Sequence, residues 1–159
     1  MRTSISEHSP PALRLREFIE REARLAGFDR VAVTSPDSIP LAGERLSEFV
    51  AQGLHGSMDW MRETLARRGD PRVLWPDVRS IIVLAMNYGP AHDPLEALGK
   101  KDRGAISVYA QNRDYHDLIK GKLKGIAGKL ASRADCEVKV FVDTAPIMEK
   151  PLAEAAGIG

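Results

Sequence analysis

The sequence predicts an α/β fold, a sandwich built on a mixed β-sheet. Segments with helical spacing of apolar residues alternate along the chain with short apolar or alternating segments. The clearest strand signal is residues 79–88, because the stretch from Ile81 to Met86 is continuously apolar, as in a central strand covered on both faces. The chain has 159 residues, 43% of them hydrophobic and 28% charged, which is enough to bury a core.

The first elements follow from spacing and from helix-breaking residues. Residues 1–11 are polar, end in two prolines and predict a flexible tail. Residues 28–34 then predict a short strand and residues 35–37 a turn. A second helix is expected over residues 42–52, ending at Gly53. A first helix is predicted before the strand of residues 28–34, and it stops near Gly27. It is indicated by apolar residues at helical spacing: Leu15, Phe18, Ile19, Ala23 and Ala26.

The middle and end of the chain continue the alternation. A short helix is expected to end near residues 69–71, and a polar connection spans residues 90–103. Strands are predicted over residues 105–110 and over residues 137–142, where Val138, Val140 and Val142 alternate with polar residues. Between them, residues 115–133 carry an apolar face and predict a long helix. The last helix is expected to start at Pro151 and to end at Gly157.

Composition excludes several classes of protein. The longest apolar run, residues 81–86, is too short to cross a bilayer, and the N-terminus lacks the apolar core of a signal peptide. We therefore expect a cytoplasmic protein that does not act at a membrane. The single cysteine, Cys136, cannot form an internal disulfide or hold an iron–sulfur cluster, and we interpret it as a small apolar residue at the start of a strand.

Charge is concentrated between residues 100 and 133, where nine basic residues face three acidic ones, an excess of six positive charges. Such a stretch is able to contact a phosphate backbone. The alternative is a solvated helix face whose charge is balanced by neighbours in the fold.

Three polar clusters are candidates for chemistry, each with a plain structural alternative. Asp143 follows a predicted strand, where a carboxylate suits acid–base work, or else it caps a turn before Ala-Pro. In the second cluster, residues 113–116, Asp114 is a candidate helix cap, and His116 is either a base or ligand or else a surface or packed residue. No residue of the chain is assigned as a metal ligand.

The third cluster spans residues 55–71. Its Met58, Trp60 and Met61 either line an apolar cofactor pocket or belong to the core. Arg68 either anchors an anionic or amide-rich ligand or is exposed.

Taken together and in order, these segments resemble the N-terminal region of epoxyqueuosine reductases. The resemblance covers the chain from about residue 12 onward. Any single segment would be weak evidence, whereas six in the right order are strong. The segments are residues 55–61 (His-Gly-Ser-Met-Asp-Trp-Met), 68–71, 80–83 with 87–90, 109–116, 142–150 (Val-Asp-Thr-Ala-Pro-Ile-Met-Glu-Lys) and 151–159.

The resemblance implies a cobalamin-binding domain over residues 12–159, of the nitroreductase-like kind and incomplete at its C-terminus. It implies that Asp143 protonates the oxygen that leaves the epoxide and also contacts the cofactor. Arg68 and Ser107, the latter on the strand after Gly104, match positions that line the cobalamin. Arg113 and Tyr115 match a motif at the edge of the pocket.

The resemblance also implies partners: a tRNA carrying epoxyqueuosine and an external electron donor, with the enzyme acting as a monomer. The family continues into a module that holds two 4Fe-4S clusters, and the cysteines for them are absent from this chain. We therefore expect these 159 residues alone to be inactive. The alternatives are a stand-alone corrinoid-binding module or a non-functional truncated product.

Overall fold

A computed structural model of the chain describes residues 11–90, 93–111 and 113–158. The chain divides into two compact units. The first unit comprises Met1–Asp29 and Met86–Val142, and the second comprises Arg30–Ala85 and Asp143–Gly159. Residues 1–10 of the predicted tail lie outside the described residues, and Pro11 is already the first residue of a helix.

Helices dominate the described residues, and strands are short. The strands are β1 (Arg30–Thr34) and β2 (Ile81–Ala85). Short 3₁₀ turns occupy Pro94–Gly99 and Val108–Ala110. The helices are α1 (Pro11–Leu25), α2 (Ala42–Ala51), α3 (Asp59–Glu63), α4 (Leu65–Gly69), α5 (Pro71–Leu74), α6 (Tyr115–Ala134) and α7 (Glu149–Ala155).

The first unit is built on the packing of α1 against α6. Two polar contacts join these helices: Lys129 Nζ lies 2.6 Å from Glu22 Oε2, and Lys122 Nζ donates to the carbonyl oxygen of Ala26. The second contact satisfies a backbone acceptor at the end of α1 that has no partner within the helix. The buried apolar side chains of this unit are Phe18, Ile19, Ala23, Phe28, Ile126, Leu130 and Val142.

The second unit contains the β-sheet, in which β1 and β2 pair antiparallel with Arg30 opposite Ala85 and Thr34 opposite Ile81. Helix α7 lies against both strands, and its Leu152 is only 1% exposed. Because this deep burial removes apolar surface from water, Leu152 stabilises the packing of α7 against the two strands. The predicted mixed α/β character is therefore present, with a sheet of two strands within the described residues.

Helices α2 and α4 of the second unit approach each other through two glycines. A Cβ placed on Gly69 would lie 2.9 Å from the Cα of Gly43, and one placed on Gly43 would lie 3.2 Å from the Cα of Gly69. Real Cβ atoms do not tolerate the shorter of these distances to backbone, so the absence of a side chain at Gly69 is what allows the helices to pack. This contact fixes α4, which carries Arg68.

The prediction of a strand over residues 105–110 is wrong. Residues 108–110 form a 3₁₀ turn, with the N–H of Ala110 bonded to the carbonyl of Ser107, so Ser107 precedes a turn. Ile106 is 67% exposed and Tyr109 57%, so neither buries the apolar face that a strand needs.

The prediction of a strand over residues 137–142 is also wrong, although its burial pattern was anticipated. Val138 and Val140 are half-buried while Glu137 and Lys139 are exposed, but the segment pairs with no described strand. Alternation alone does not make a strand, because the backbone also needs a neighbouring edge to bond. Consequently Cys136 does not start a strand, and it is exposed.

Two further predictions need correction. β2 pairs only with β1 among the described residues, and all five of its residues are half-buried, so it is not a central strand there. Pro151 is the third residue of α7, not the first. The predicted end of a short helix near residues 69–71 is confirmed, since α4 ends at Gly69. A further short helix follows: Asp70 accepts a hydrogen bond from the N–H of Arg72 and caps α5, with Pro71 at its first position.

Candidate cofactor and catalytic site

Arg68 is oriented by two residues of the preceding helical turns. The hydroxyl of Thr64 donates to the carbonyl oxygen of Trp60 at 2.6 Å, and Nε of Arg68 donates to the Thr64 hydroxyl at 2.9 Å. The guanidinium carbon of Arg68 lies 4.5 Å from the centre of the Trp60 ring, a cation–π contact. The three residues are four apart in sequence, so they lie along one face of α3 and α4.

This geometry suits a ligand-binding arginine. A guanidinium group has five N–H donors in a rigid plane. Of the donors of Arg68, only the Nε–H has a hydrogen-bond acceptor among the described residues. The remaining donors are available for an anionic or amide-rich ligand. Arg68 is half-buried rather than fully exposed, so the structure supports the anchoring interpretation of this side chain more than the surface one.

Asp143 has an unusual backbone conformation, with φ of 52° in the left-handed region. This conformation costs an L-residue roughly 1–2 kcal/mol, somewhat less for Asp, whose short polar side chain tolerates it. The N–H of Asp143 donates to Oε1 of Glu149 at 3.0 Å. The side chain is exposed, and no described strand ends immediately before Asp143. The expectation of a strand-end carboxylate is therefore corrected to a carboxylate on a turn that leads to α7.

Ser107, Arg113 and Tyr115 lie in the first unit, whereas Arg68 and Asp143 lie in the second. Ser107 and Arg113 are exposed. Tyr115 opens α6, makes an edge-to-face contact with Tyr109 at 6.5 Å between ring centres, and stacks on His116 at 4.1 Å. Asn112, between Gln111 and Arg113, lies outside the described residues.

The predicted cap of α6 is confirmed. Asp114 accepts a hydrogen bond from the N–H of His116 at 2.9 Å, and Nδ1 of His116 lies 2.7 Å from the same carboxylate. The backbone hydrogen bond from His116, with the side-chain bond to its ring, holds the pKa of Asp114 below its usual range. The cap and the ring contacts together fix the start of the helix at which Tyr115 lies.

The segment of residues 55–61 is divided between the interior and the surface. His55 is 9% exposed, and its Nδ1 has no hydrogen-bond partner among the described residues. Met58 and Trp60 are 41% and 47% exposed, so the interpretation that they belong to the core is wrong in this structure. Their role in lining a cofactor pocket stays a prediction.

Sequence reasoning missed Thr64, Glu149 and the pair Gly43 and Gly69. The spacing of Trp60, Thr64 and Arg68 was available as a signal, because residues four apart on a helix are neighbours. Nothing in the sequence indicates that Gly43 meets Gly69, since their contact depends on how two helices cross. The described residues contain no cluster of three or more His, Cys, Asp or Glu able to hold a metal ion, and none of their helices is long and apolar enough to span a membrane.

Comparison with known protein families places these residues in context. A family profile described as "Epoxyqueuosine reductase QueG, DUF1730" matches residues 68–144. The epoxyqueuosine reductase of Gloeobacter violaceus is 38% identical over 144 residues, which cover 89% of this chain and 43% of the relative. That of Escherichia coli is 36% identical over 135 residues, which cover 84% of this chain and 35% of the relative.

Solved structures show the same likeness. The crystal structure of selenomethionine-labelled epoxyqueuosine reductase superposes with a TM-score of 0.73 at 25% identity, covering 92% of this chain and 39% of that one. A crystal structure of epoxyqueuosine reductase with an epoxyqueuosine-modified tRNA-Tyr stem loop gives a TM-score of 0.72 at 27% identity, with the same coverage.

These likenesses define a mixed α/β fold of the kind found in a family of reductases. More specifically, the chain matches the epoxyqueuosine reductases, in the family profile over residues 68–144 and in the relatives and solved structures named above. It spans 43% and 35% of the length of the two curated relatives named above.

Proposed function

We propose that this chain forms part of an enzyme that reduces epoxyqueuosine to queuosine in tRNA. The observation that carries the proposal is its likeness, over 92% of its length, to a reductase crystallised with an epoxyqueuosine-modified tRNA stem loop. Arg68 and Asp143 also lie within residues 68–144, the part of the chain that the family profile matches.

The proposed reaction removes the epoxide oxygen. Two electrons and two protons are consumed, both carbon–oxygen bonds break, a carbon–carbon double bond forms, and the oxygen leaves as water. Asp143 gives one of the protons to the departing oxygen as a carboxylic acid, which is general acid catalysis. Cobalamin, when bound, would supply the two electrons, and an external donor, with the two 4Fe-4S clusters of the full-length family, would supply the reducing equivalents for it.

The residues of the second unit suit a corrinoid. The periphery of the corrinoid ring carries carboxamide groups, whose oxygens are able to accept hydrogen bonds from a guanidinium plane. Arg68 is held in one orientation by Thr64 and Trp60. Ser107, Arg113 and Tyr115 in the first unit are the other proposed contacts. The proposal includes a nitroreductase-like sandwich over residues 12–159 and a cytoplasmic, monomeric enzyme.

The test uses a full-length version of the protein, loaded with cobalamin and its clusters and supplied with a chemical reductant and tRNA containing epoxyqueuosine. Mass spectrometry of the digested tRNA should show nucleosides that have lost one oxygen atom. Retention of the epoxide in every preparation that carries cobalamin and reduced clusters would contradict the proposed function.

We propose further that part of the basic stretch contacts the tRNA backbone. Three of its basic side chains instead contact α1 or the residue that follows it. Lys122 and Lys129 make polar contacts, and Arg133 lies 4.9 Å from the centre of the Phe18 ring. Five others have no ion pair within the described residues, namely Lys100, Lys101, Arg113, Lys120 and Lys124. Those five supply positive charge that the fold itself does not neutralise.

Lys120 and Lys124, one helical turn apart on α6, give the sharpest test of this surface. Replacing both by Ala in the full-length protein should weaken tRNA binding and reduce the slope of log affinity against log salt by about 1–2, since each lost phosphate contact removes about 1. The control is the double replacement of Arg16 and Arg24 by Ala on the exposed face of α1, which should leave the slope unchanged. Equal slopes for the lysine variant and the wild type would contradict this surface.

A further inference from the structure

Glu149 is a polar residue of the second unit to which the proposed function gives no role. It is the first residue of α7 and is half-buried. Its Oε1 accepts a hydrogen bond from the backbone N–H of Asp143 at 3.0 Å, across a loop of five residues. The side chain therefore bonds to the backbone of the proposed proton donor.

Asp143 needs such a contact because of its conformation. At φ of 52°, the Cβ of an L-residue crowds the following carbonyl oxygen, so the left-handed conformation is disfavoured unless neighbouring groups stabilise it. A hydrogen bond from the Asp143 N–H to the Glu149 side chain favours this backbone conformation over alternatives that break it. The contact with Glu149 therefore stabilises the Asp143 backbone, and the direction of the Asp143 side chain depends on that backbone.

Glu149 lies on a helix that is well packed in the second unit. Helix α7 packs against both β1 and β2, and Leu152, less than one turn from Glu149, is 1% exposed. The N–H of Leu152 bonds to the carbonyl of Met148, which closes the first turn of the helix. Asp143 is thus connected through Glu149 to the most deeply buried part of the second unit.

We propose that Glu149 is the positioning residue for Asp143. Its carboxylate holds the Asp143 backbone in the left-handed conformation, and the Asp143 carboxyl group consequently keeps one position relative to α7. The catalytic consequence of this arrangement rests on the proposed function, because it requires Asp143 to be the proton donor. The structural part does not, since the hydrogen bond is independent of the reaction.

Hydrogen–deuterium exchange at single-amide resolution tests the structural part in the full-length protein without cofactor. Glu149→Ala should speed exchange at the Asp143 amide by about tenfold. Glu149→Gln should keep the protection, because its amide oxygen accepts the same hydrogen bond. Exchange at the Leu152 amide should stay unchanged in both variants, which excludes unfolding of α7, and Glu154→Ala on the exposed face of α7 is the control. Wild-type exchange at Asp143 in Glu149→Ala would overturn the proposal.

Turnover of the loaded enzyme tests the catalytic part. Glu149→Ala should lower kcat by about 10- to 100-fold, the scale of a small misplacement of a catalytic group, with KM for tRNA unchanged. Glu149→Gln should stay within about threefold of wild type, since it keeps the hydrogen bond. In an Asp143→Asn background, Glu149→Ala should have no further effect on kcat.

Two results would overturn the positioning role: a Glu149→Gln enzyme as slow as Glu149→Ala, or a double variant slower than Asp143→Asn alone. A wild-type rate for Asp143→Asn would instead remove the proposed donor role of that residue. In that case the exchange measurement alone decides whether Glu149 holds Asp143.

Discussion

At the scale of single residues, Arg68 and Asp143 each have a hydrogen-bond partner close by in sequence. Thr64 and Trp60 orient the guanidinium group, and Glu149 bonds to the Asp143 backbone. Such local support fixes direction as well as position. The Arg68 side chain therefore has a defined geometry before any ligand binds, which lowers the entropy lost on binding, and the Asp143 backbone has a defined partner.

Thr64 gives a direct test of how Arg68 is oriented. Thr64→Val keeps the shape of the side chain but removes the acceptor for Nε of Arg68. Loss of one hydrogen bond, about 1 kcal/mol, should weaken cobalamin retention by the full-length protein about fivefold.

Cobalamin occupancy after gel filtration, followed by visible absorption, is the measurement. Arg68→Ala should lower retention more than Thr64→Val, whereas Thr64→Ser, which keeps the hydroxyl, should resemble wild type. Full occupancy in Arg68→Ala would show that this arginine does not hold the cofactor.

The roles of single residues were partly predictable from sequence. Asp114 was identified as a cap because a short acidic side chain before a helical pattern has a local function, and its bond to the N–H of His116 confirms it. The conformation of Asp143 was not predictable, because its left-handed φ and its bond to Glu149 depend on the path of the intervening loop. Local patterns reveal capping, whereas loop geometry depends on the fold.

At the scale of elements, α1, α2 and α6 follow their apolar spacing, and α1 and α2 end two residues before the predicted glycines Gly27 and Gly53, both of which have positive φ. Helices are predictable in this way because their hydrogen bonds lie within the segment. The predicted strands over residues 105–110 and 137–142 failed because a strand needs a partner from elsewhere in the chain. The β1–β2 pair formed where both segments carried enough apolar residues to bury.

The crossing of α2 and α4 makes Gly69 sensitive to any side chain. Gly69→Ala would place a Cβ 2.9 Å from backbone Cα of Gly43, so the helices must separate. We expect a loss of stability of about 1–3 kcal/mol, together with weaker cobalamin retention because α4 carries Arg68.

Chemical denaturation and cofactor occupancy measure the two effects. The control is Gly125→Ala on α6, where a Cβ would meet nothing within 4 Å and helix propensity should add up to about 1 kcal/mol. Stability of Gly69→Ala equal to wild type would show that the two helices do not approach through these glycines.

At the scale of the whole molecule, two carboxylates, Glu22 and Asp37, join separate segments in their ionised form. A hydrogen bond from Lys129, with one from Arg21, lowers the pKa of Glu22, and a hydrogen bond from Arg72 lowers the pKa of Asp37. The Glu22 contact joins α1 to α6, and the Asp37 contact joins the turn after β1 to α5. Each contact joins segments of a single compact unit.

These lowered pKa values set the direction of the pH dependence. Because the unfolded chain binds protons more readily than the folded one, stability is fully present above the ordinary carboxyl pKa values of about 4. It should fall as the pH drops through the lower folded values. Thermal unfolding between pH 7 and pH 3 measures this directly.

Glu22→Gln is the informative variant for this dependence. It should melt at a lower temperature than wild type at neutral pH and lose less stability on acidification, because one contributor is gone. Glu154→Gln on exposed α7 surface is the control and should follow the wild-type curve. Parallel acid profiles for Glu22→Gln and wild type would contradict a stabilising pair between Glu22 and Lys129.

The central claim is that Asp143 protonates the oxygen that leaves the epoxide. The most direct measurement is the single-turnover rate of epoxyqueuosine reduction by the full-length, cobalamin-loaded protein, comparing wild type with Asp143→Asn at equal cofactor occupancy. We predict full occupancy in both and a rate about 10²–10⁴ lower for Asp143→Asn, the usual effect of losing a general acid. A near-wild-type rate in the variant would contradict the account and remove Asp143 from the mechanism.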